Sequence, residues 1–340
     1  MKLLQFKYKN KIYTVTDDQL KIICRNATAS MGLLVKETVR RRSLYLASLL
    51  AEGLGIFSLT RCIKALGFSV PPKLDARALW LDITVKGYVM GVSLGSKLDC
   101  VIINGEEYYF ESAPIGLITT IIGSDQYLVS LASSGLFRDT KTATVVDVGA
   151  NVGIFSIFAA AQGVKKVIAY EPVPSTVALL QKNISINKKH NLQSKIKVIA
   201  KGVSDKKGFL SIYFDGAGDE GASLMPTHQK ISKFSKKVPV TTIDADAKII
   251  GPVDLIKIDA EGLEEEIIRG AEATIRKYKP VITMAAYHKP GDVGKLSRLV
   301  KSIDSGYLFH VKKNPEMDLV CYHSGNVEQR KTLEKAFLKE

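Results

Sequence analysis

Apolar positions along this chain change their period twice. Residues 3–15, "LLQFKYKNKIYTV", alternate apolar and polar around Lys9-Asn10 and predict a hairpin. From Asp17 to about Leu66 the spacing is helical, and it stops at the breaker "GFSVPPK" of residues 67–73. Short β-like runs return from Leu98 in "LDCVIING" and "EEYYFES"; "GLITTIIGSDQYLVSLASSGLF" then reads as helices leading to a strand. The lone Trp80 and the apolar residues around it read as core and are given no chemical role.

Beyond Lys141 the pattern becomes regular. Strands are expected over 144–148, 166–171, 195–200, 253–258 and 281–287, with a hairpin-like region after the third. Helices are expected from about Val152, over Pro174 to Asn187, over Gly262 to Tyr278, and from about Val293. Strands alternating with helices predict parallel βαβ units in an open sheet covered on both faces. The turn between "YLFHVKK" and "DLVCYHS" is too short for a crossover helix, so these two strands pair antiparallel. The expected fold class is α/β: a doubly wound, mostly parallel sheet with an antiparallel last strand pair, plus a small, mainly helical N-terminal module. The expected domains are residues 1–100, 101–325 and a C-terminal helix over 326–340.

Composition bounds the partners. The chain has 340 residues, 46% hydrophobic and 24% charged, without repeats, and buries a core large enough for one domain plus an appendage. A net charge of +14 permits an anionic partner, but the Lys and Arg residues are spread through both halves, which favours a solvated basic surface over a nucleic-acid face. Cys24, Cys62, Cys100 and Cys321 are far apart with no metal spacing, and no cleavable signal is seen at the N-terminus, so reduced thiols and a cytoplasmic location are expected. "SLYLASLLAEGLGIFSLT", after Arg40-Arg41-Arg42, is barely of spanning length and carries Glu52 and Gly53 at its centre. It reads as buried helix, with peripheral membrane contact as the alternative.

The segment "VVDVGANVGIFS", residues 145–156, inserts Gly149 and Gly153 where the first parallel strand meets its helix. Ligands of such sheets bind outside the carboxyl ends of the strands, and glycine lets them approach backbone N–H groups that a Cβ would shield. The second strand ends in "AYEP", which places Glu171 about 20 residues further on, where an acid grips both hydroxyls of a ribose. The glycine spacing is not the G-x-G-x-x-G of a dinucleotide site. Asp147 at the strand end repels a pyrophosphate and suits a ligand with an ammonium group, such as the amino-acid half of S-adenosyl-L-methionine.

Together "VVDVGANVGIFS", "AYEP", "TTID", "DLIKIDAEGLEEEIIRGAEATI" and "YHKPGD" resemble the FkbM family of S-adenosylmethionine-dependent methyltransferases, a class I, Rossmann-like group, over roughly residues 110 to 325. The resemblance implies that Asp147, Gly149, Asn151 and Gly153 form the cofactor loop, with Asp147 facing the methionine ammonium. It implies Glu171 as the ribose acid, Ser204 and Asp205 beside the adenine, and Asp259 and Glu261 beside the transferable methyl. Ala260 stands where the family commonly has Val. The family implies O-methylation of sugars or natural-product scaffolds, hence a small-molecule or glycan acceptor.

A hydroxyl acceptor must lose its proton as it is methylated, and Asp259, Glu261 and His288 are the candidate bases at the strand ends. Asp259 is the first candidate as orienting group or base and His288 the alternative; a helix cap for Asp259 and a turn position for His288 are the plain structural readings. "DGAGDEGAS", residues 215–223, lacks the alternating acids of a calcium loop and reads as a surface loop, with an acceptor-pocket wall or a divalent-ion site through Asp215, Asp219 and Glu220 as the alternatives, and no metal is assigned. Two other classes compete: a methyltransferase acting on RNA or protein, and a non-catalytic membrane-associated module that keeps the cofactor pocket. Asp259-Ala260-Glu261-Gly262 lacks the Pro-Pro-aromatic run used by enzymes that methylate base amino groups, which argues against those substrates.

Overall fold

The computed structural model describes residues 3–8, 11–16, 79–85, 88–94, 98–103, 106–111, 121, 127, 136–137, 139–214, 234–313 and 317–337. They fall into two compact units, 1–124 and 125–340. The expected helices of residues 17–66, the apolar stretch from Ser43 and the loop 215–223 lie outside the described residues.

In the first unit the predicted hairpin is present: β1 (Leu3–Tyr8) pairs antiparallel with β2 (Lys11–Thr16), with Tyr8 opposite Lys11. β3 (Leu79–Val85) and β4 (Tyr88–Leu94) extend it into a sheet of order β2-β1-β3-β4. β5 (Leu98–Ile103) and β6 (Glu106–Glu111) form a second hairpin beside β4. That neighbourhood carries the first unit past the boundary expected at residue 100.

The second unit holds a seven-stranded sheet. Its strands are β7 (Thr144–Val148), β8 (Lys166–Tyr170), β9 (Ile196–Ile199), β13 (Leu255–Ile258), β14 (Val281–Ala285), β15 (Tyr307–Lys313) and β16 (Met317–His323). The intervening β10 (Gly202–Val203), β11 (Gly208–Phe214) and β12 (Phe234–Thr241) make a separate three-stranded sheet. The order of the large sheet is β15-β16-β14-β13-β7-β8-β9. β16 slots between β14 and β15 and runs antiparallel to both, so it alone opposes the rest. The chain lays β8 and β9 to one side of β7 and returns to the other side with β13, so strand order reverses between β7 and β13. Ligands of doubly wound sheets bind at that reversal.

β7, β13 and β14 are buried at every position, because helices cover both faces of a parallel sheet. Val146, Ile168, Ile256 and Ile282 are fully buried, each stabilising the layer by roughly 1.5–3 kcal/mol. α1 (Ile154–Ala161) follows β7, and α2 (Pro174–Ile186), with proline in its first turn where no N–H is needed, follows β8. The helix expected from Gly262 to Tyr278 is two helices, α3 (Glu264–Arg269) and α4 (Glu272–Tyr278). They break at Gly270, where a Cβ would stand 2.1 Å from the Ser204 carbonyl. Asp244, of "TTID", starts the second by accepting from the Ala273 and Thr274 N–H groups, each at 2.8 Å. α5 (Asp292–Ile303) and α6 (Val327–Phe337) complete the unit.

Candidate functional site

At the reversal point, Val148, Gly149, Asn151, Glu171, Asp259 and Glu261 line an open cleft, together with residues from 170–176, 202–203 and 212. Its floor is the turn after β7. Gly149 has φ +74°, and a Cβ there would sit 1.8 Å from the Asp259 carbonyl oxygen, so its first role is to let two strand-end loops touch. Gly153, φ +93°, points its missing Cβ at the Leu180 side chain of α2 and does not line the cleft. Asn151 is left-handed without being glycine, φ +49°. Its side-chain oxygen is buried with no hydrogen-bond partner.

Glu171 is 6% exposed. One carboxylate oxygen accepts from the Asn151 N–H at 3.0 Å and the other from the Val173 N–H at 2.9 Å. Burial is the largest influence and pushes the carboxyl up to about 7, against these two hydrogen bonds. Each oxygen keeps a further lone pair for a ligand hydroxyl.

Asp147 is placed differently from the expectation that it faces an ammonium. It is fully buried below the loop, with Ser156 Oγ donating at 2.6 Å and Lys257 Nζ forming an ion pair at 3.1 Å. Lys257 stands opposite Asp147 in the β13–β7 register and also donates to the Val148 and Gly149 carbonyls at 3.2 and 2.6 Å. A buried lysine thus balances Asp147 and ties the glycine turn to the neighbouring strand. Ser204 is buried with its hydroxyl on Asp205 at 3.2 Å, Asp205 is exposed, and neither reaches the cleft wall, where Gly202 and Val203 stand instead.

Asp259, Glu261 and His288 come together at the β13 end. His288 Nε2 lies 4.0 Å from Asp259 Oδ1 and 3.7 Å from Glu261 Oε2. Its Nδ1 is 2.9 Å from Glu264 Oε1, which also accepts from the Gly262 N–H at 3.2 Å. Burial pulls His288 downward, but the hydrogen bond and charge of Glu264, with Glu261 and Asp259, leave its pKa raised. Burial raises the Glu264 carboxyl, and the histidine outweighs it, so that group ends lowered. Tyr127, 1% exposed, lies near Asp259; burial first, then the Asp259 charge, drives its hydroxyl well above the usual range.

Sequence reasoning missed Lys257, Glu264 and Tyr127. A lone lysine in "LIKI" opposite a lone acid in "VVDV" was the available signal for the first. Glu264 was one of three consecutive glutamates, and nothing local marked Tyr127.

Residues 147–311 match the Methyltransferase FkbM domain. The methyltransferase sdnD of Sordaria araneosa is 24% identical, over 38% of this chain and 60% of that protein. The crystal structure of methyltransferase FkbM from Methylobacillus flagellatus KT is 23% identical with a TM-score of 0.44, over 58% of this chain and 47% of that one. That of precorrin-6y C5,15-methyltransferase from Geobacter metallireducens GS-15 is 15% identical with a TM-score of 0.35, over 57% and 86%. The chain therefore spans 60% or less of the length of the first two relatives. The strand order agrees with the family match: over residues 147–311, just under half of the chain, this protein is similar to FkbM methyltransferase domains, whose cofactor is S-adenosyl-L-methionine.

Proposed function

We propose that this protein methylates a hydroxyl group of a sugar, glycan or natural-product-like small molecule. One observation carries the reading: a single cleft is lined by a ribose-type acid, Glu171, and, across the glycine turn, by two carboxylates, Asp259 and Glu261, with His288 Nε2 at 4.0 and 3.7 Å from them. The residues present fit S-adenosyl-L-methionine. Glu171 retains acceptor capacity on both oxygens for a diol, and the orphaned Asn151 side-chain oxygen meets an unpaired donor of the ligand. With Asp147 closed off by Lys257, Asn151 takes over the contact that Asp147 was expected to make. When bound, the cofactor supplies a methyl group on an electrophilic sulfonium.

The chain's own residues do the rest. The Lys257 tether fixes the turn, so the reacting partners are held in one orientation, and positioning supplies a large share of the rate. Glu264 fixes the His288 ring and the 260–262 turn together. The cluster orients the acceptor hydroxyl and takes its proton, a contribution of ~10² to 10⁴ in rate.

The test has two parts. Calorimetry should show one site for S-adenosyl-L-methionine and for S-adenosylhomocysteine. Labelled methyl donor incubated with fractionated glycans, small molecules, lipids, proteins and RNA should then label the glycan or small-molecule fraction. Label confined to RNA or protein would overturn the acceptor assignment; no binding at all would favour a non-catalytic module.

A further inference from the structure

We propose that Asp259, Glu261 and His288 form a site for one divalent metal ion, of the Mn²⁺ type, at the edge of the cleft. One donor atom from each residue lies within 4.8 Å of the other two. The histidine is built as a ligand. Its side chain is 5% exposed, and the 3%-exposed Glu264 holds Nδ1 at 2.9 Å. Only Nε2 is left, and it is aimed between the two carboxylates at 3.7 and 4.0 Å, beyond hydrogen-bond reach. A carboxylate behind the far ring nitrogen is the usual arrangement for a metal-binding imidazole, fixing both tautomer and orientation.

Asp259 supplies a second, independent sign. Its Oδ1 is buried without a hydrogen-bond partner. No Lys or Arg is among the described ion pairs of Asp259 or His288. Lys257 is committed to Asp147, and Lys289 donates to the Gly262 carbonyl. A cation between the three donors removes the unmet acceptor and the carboxylate repulsion at once.

Metal bonds of about 2.1 Å place donors on one octahedral face about 3 Å apart, so the donor pairs close by roughly 1 to 2 Å on binding. Asp259 and Glu261, 29% and 46% exposed, have room to swing while His288 stays fixed. Two carboxylates with one imidazole suit a divalent first-row ion better than calcium, which takes six to eight oxygens, or a thiolate zinc site.

Asp259 and Glu261 both face the cleft, so the open coordination positions do too. The role of the ion rests on reading the cleft as a methyl-transfer site. An acceptor hydroxyl bound there loses its proton to the uncoordinated oxygen of Glu261, and the O–H electron pair stays on oxygen.

The test is Mn²⁺ binding to the full chain stripped with chelator, followed by loss of the free-ion electron paramagnetic resonance signal. One ion per chain is expected. Asp259→Asn, Glu261→Gln and His288→Ala should each abolish binding, and Glu264→Gln should weaken it about 10- to 100-fold. Thermal melts and S-adenosylhomocysteine calorimetry on every variant separate a lost ligand from a lost fold. Failure of the wild-type chain to retain Mn²⁺, or equal retention by folded triad variants, overturns the metal site whatever the cofactor does. Retained Mn²⁺ with no cofactor binding would instead leave the site standing and remove the methyl-transfer reading.

Discussion

Glu171 already accepts two backbone hydrogen bonds and must accept two more from a ribose. Its proton is held up to about pH 7, against an ordinary value of 4.5. The sign follows: affinity for S-adenosylhomocysteine should climb between pH 6 and 8 as the carboxylate forms, then level off, which calorimetry in matched buffers reads directly. Folding has the opposite slope for this group. The folded chain binds the extra proton, so the Glu171 contribution is most favourable below pH 4.5 and is lost as pH rises through about 7. Glu171→Gln should therefore cost about 10- to 100-fold in cofactor affinity, one charge-assisted pair being worth about 1.5–3 kcal/mol, and abolish the pH step. The ligand-free variant should melt no lower than wild type at pH 8. Gly149→Ala asks for a left-handed alanine whose Cβ overlaps the Asp259 carbonyl, and neither backbone can yield cheaply. We expect a loss of at least about 2 kcal/mol in urea unfolding, with weakened cofactor binding.

At the scale of elements, β7 and β13 are joined by more than their ladder. Lys257 and Asp147, 3% and 0% exposed, form an ion pair whose value lies in its completeness. Lys257→Met leaves a buried carboxylate with only Ser156 and should cost about 3–5 kcal/mol; Asp147→Asn with Lys257→Met should cost less than the sum of the singles, a coupling that a double-mutant cycle measures. Asp244→Ala, which removes two N–H acceptors at the start of α4, should cost about 1–2 kcal/mol without moving cofactor affinity. These cases show which information is local. The strands of the second unit were legible because parallel strands buried on both faces read as continuous apolar runs. The close approach of the Ser204 carbonyl that leaves no room for a side chain at Gly270 was not, because Ser204 is far away in sequence. The pairing of Asp147 with Lys257 was not legible for a similar reason: an acid at a strand end looks identical whether it meets a ligand or a lysine on the next strand.

For the molecule as a whole, every described residue lining the cleft lies between 148 and 261, inside the second compact unit. A fragment of residues 125–340 should therefore bind S-adenosylhomocysteine with the affinity of the full chain. A fragment that folds by circular dichroism yet fails to bind would show that the first unit contributes. The topology of the second unit and the meeting of Asp259, Glu261 and His288 at one strand end could be read from the order of motifs. The sheet formed by β3 and β4 was not read, although Lys86-Gly87 stands between the two strands as a two-residue connection with glycine. The placement of β16 has a consequence for biosynthesis. This strand leaves the ribosome last among the seven yet occupies an interior position, so β14 and β15 wait with unsatisfied edges until residue 323 has emerged. A nascent chain stalled before Met317 would thus be a target for chaperones, however complete its cofactor loop.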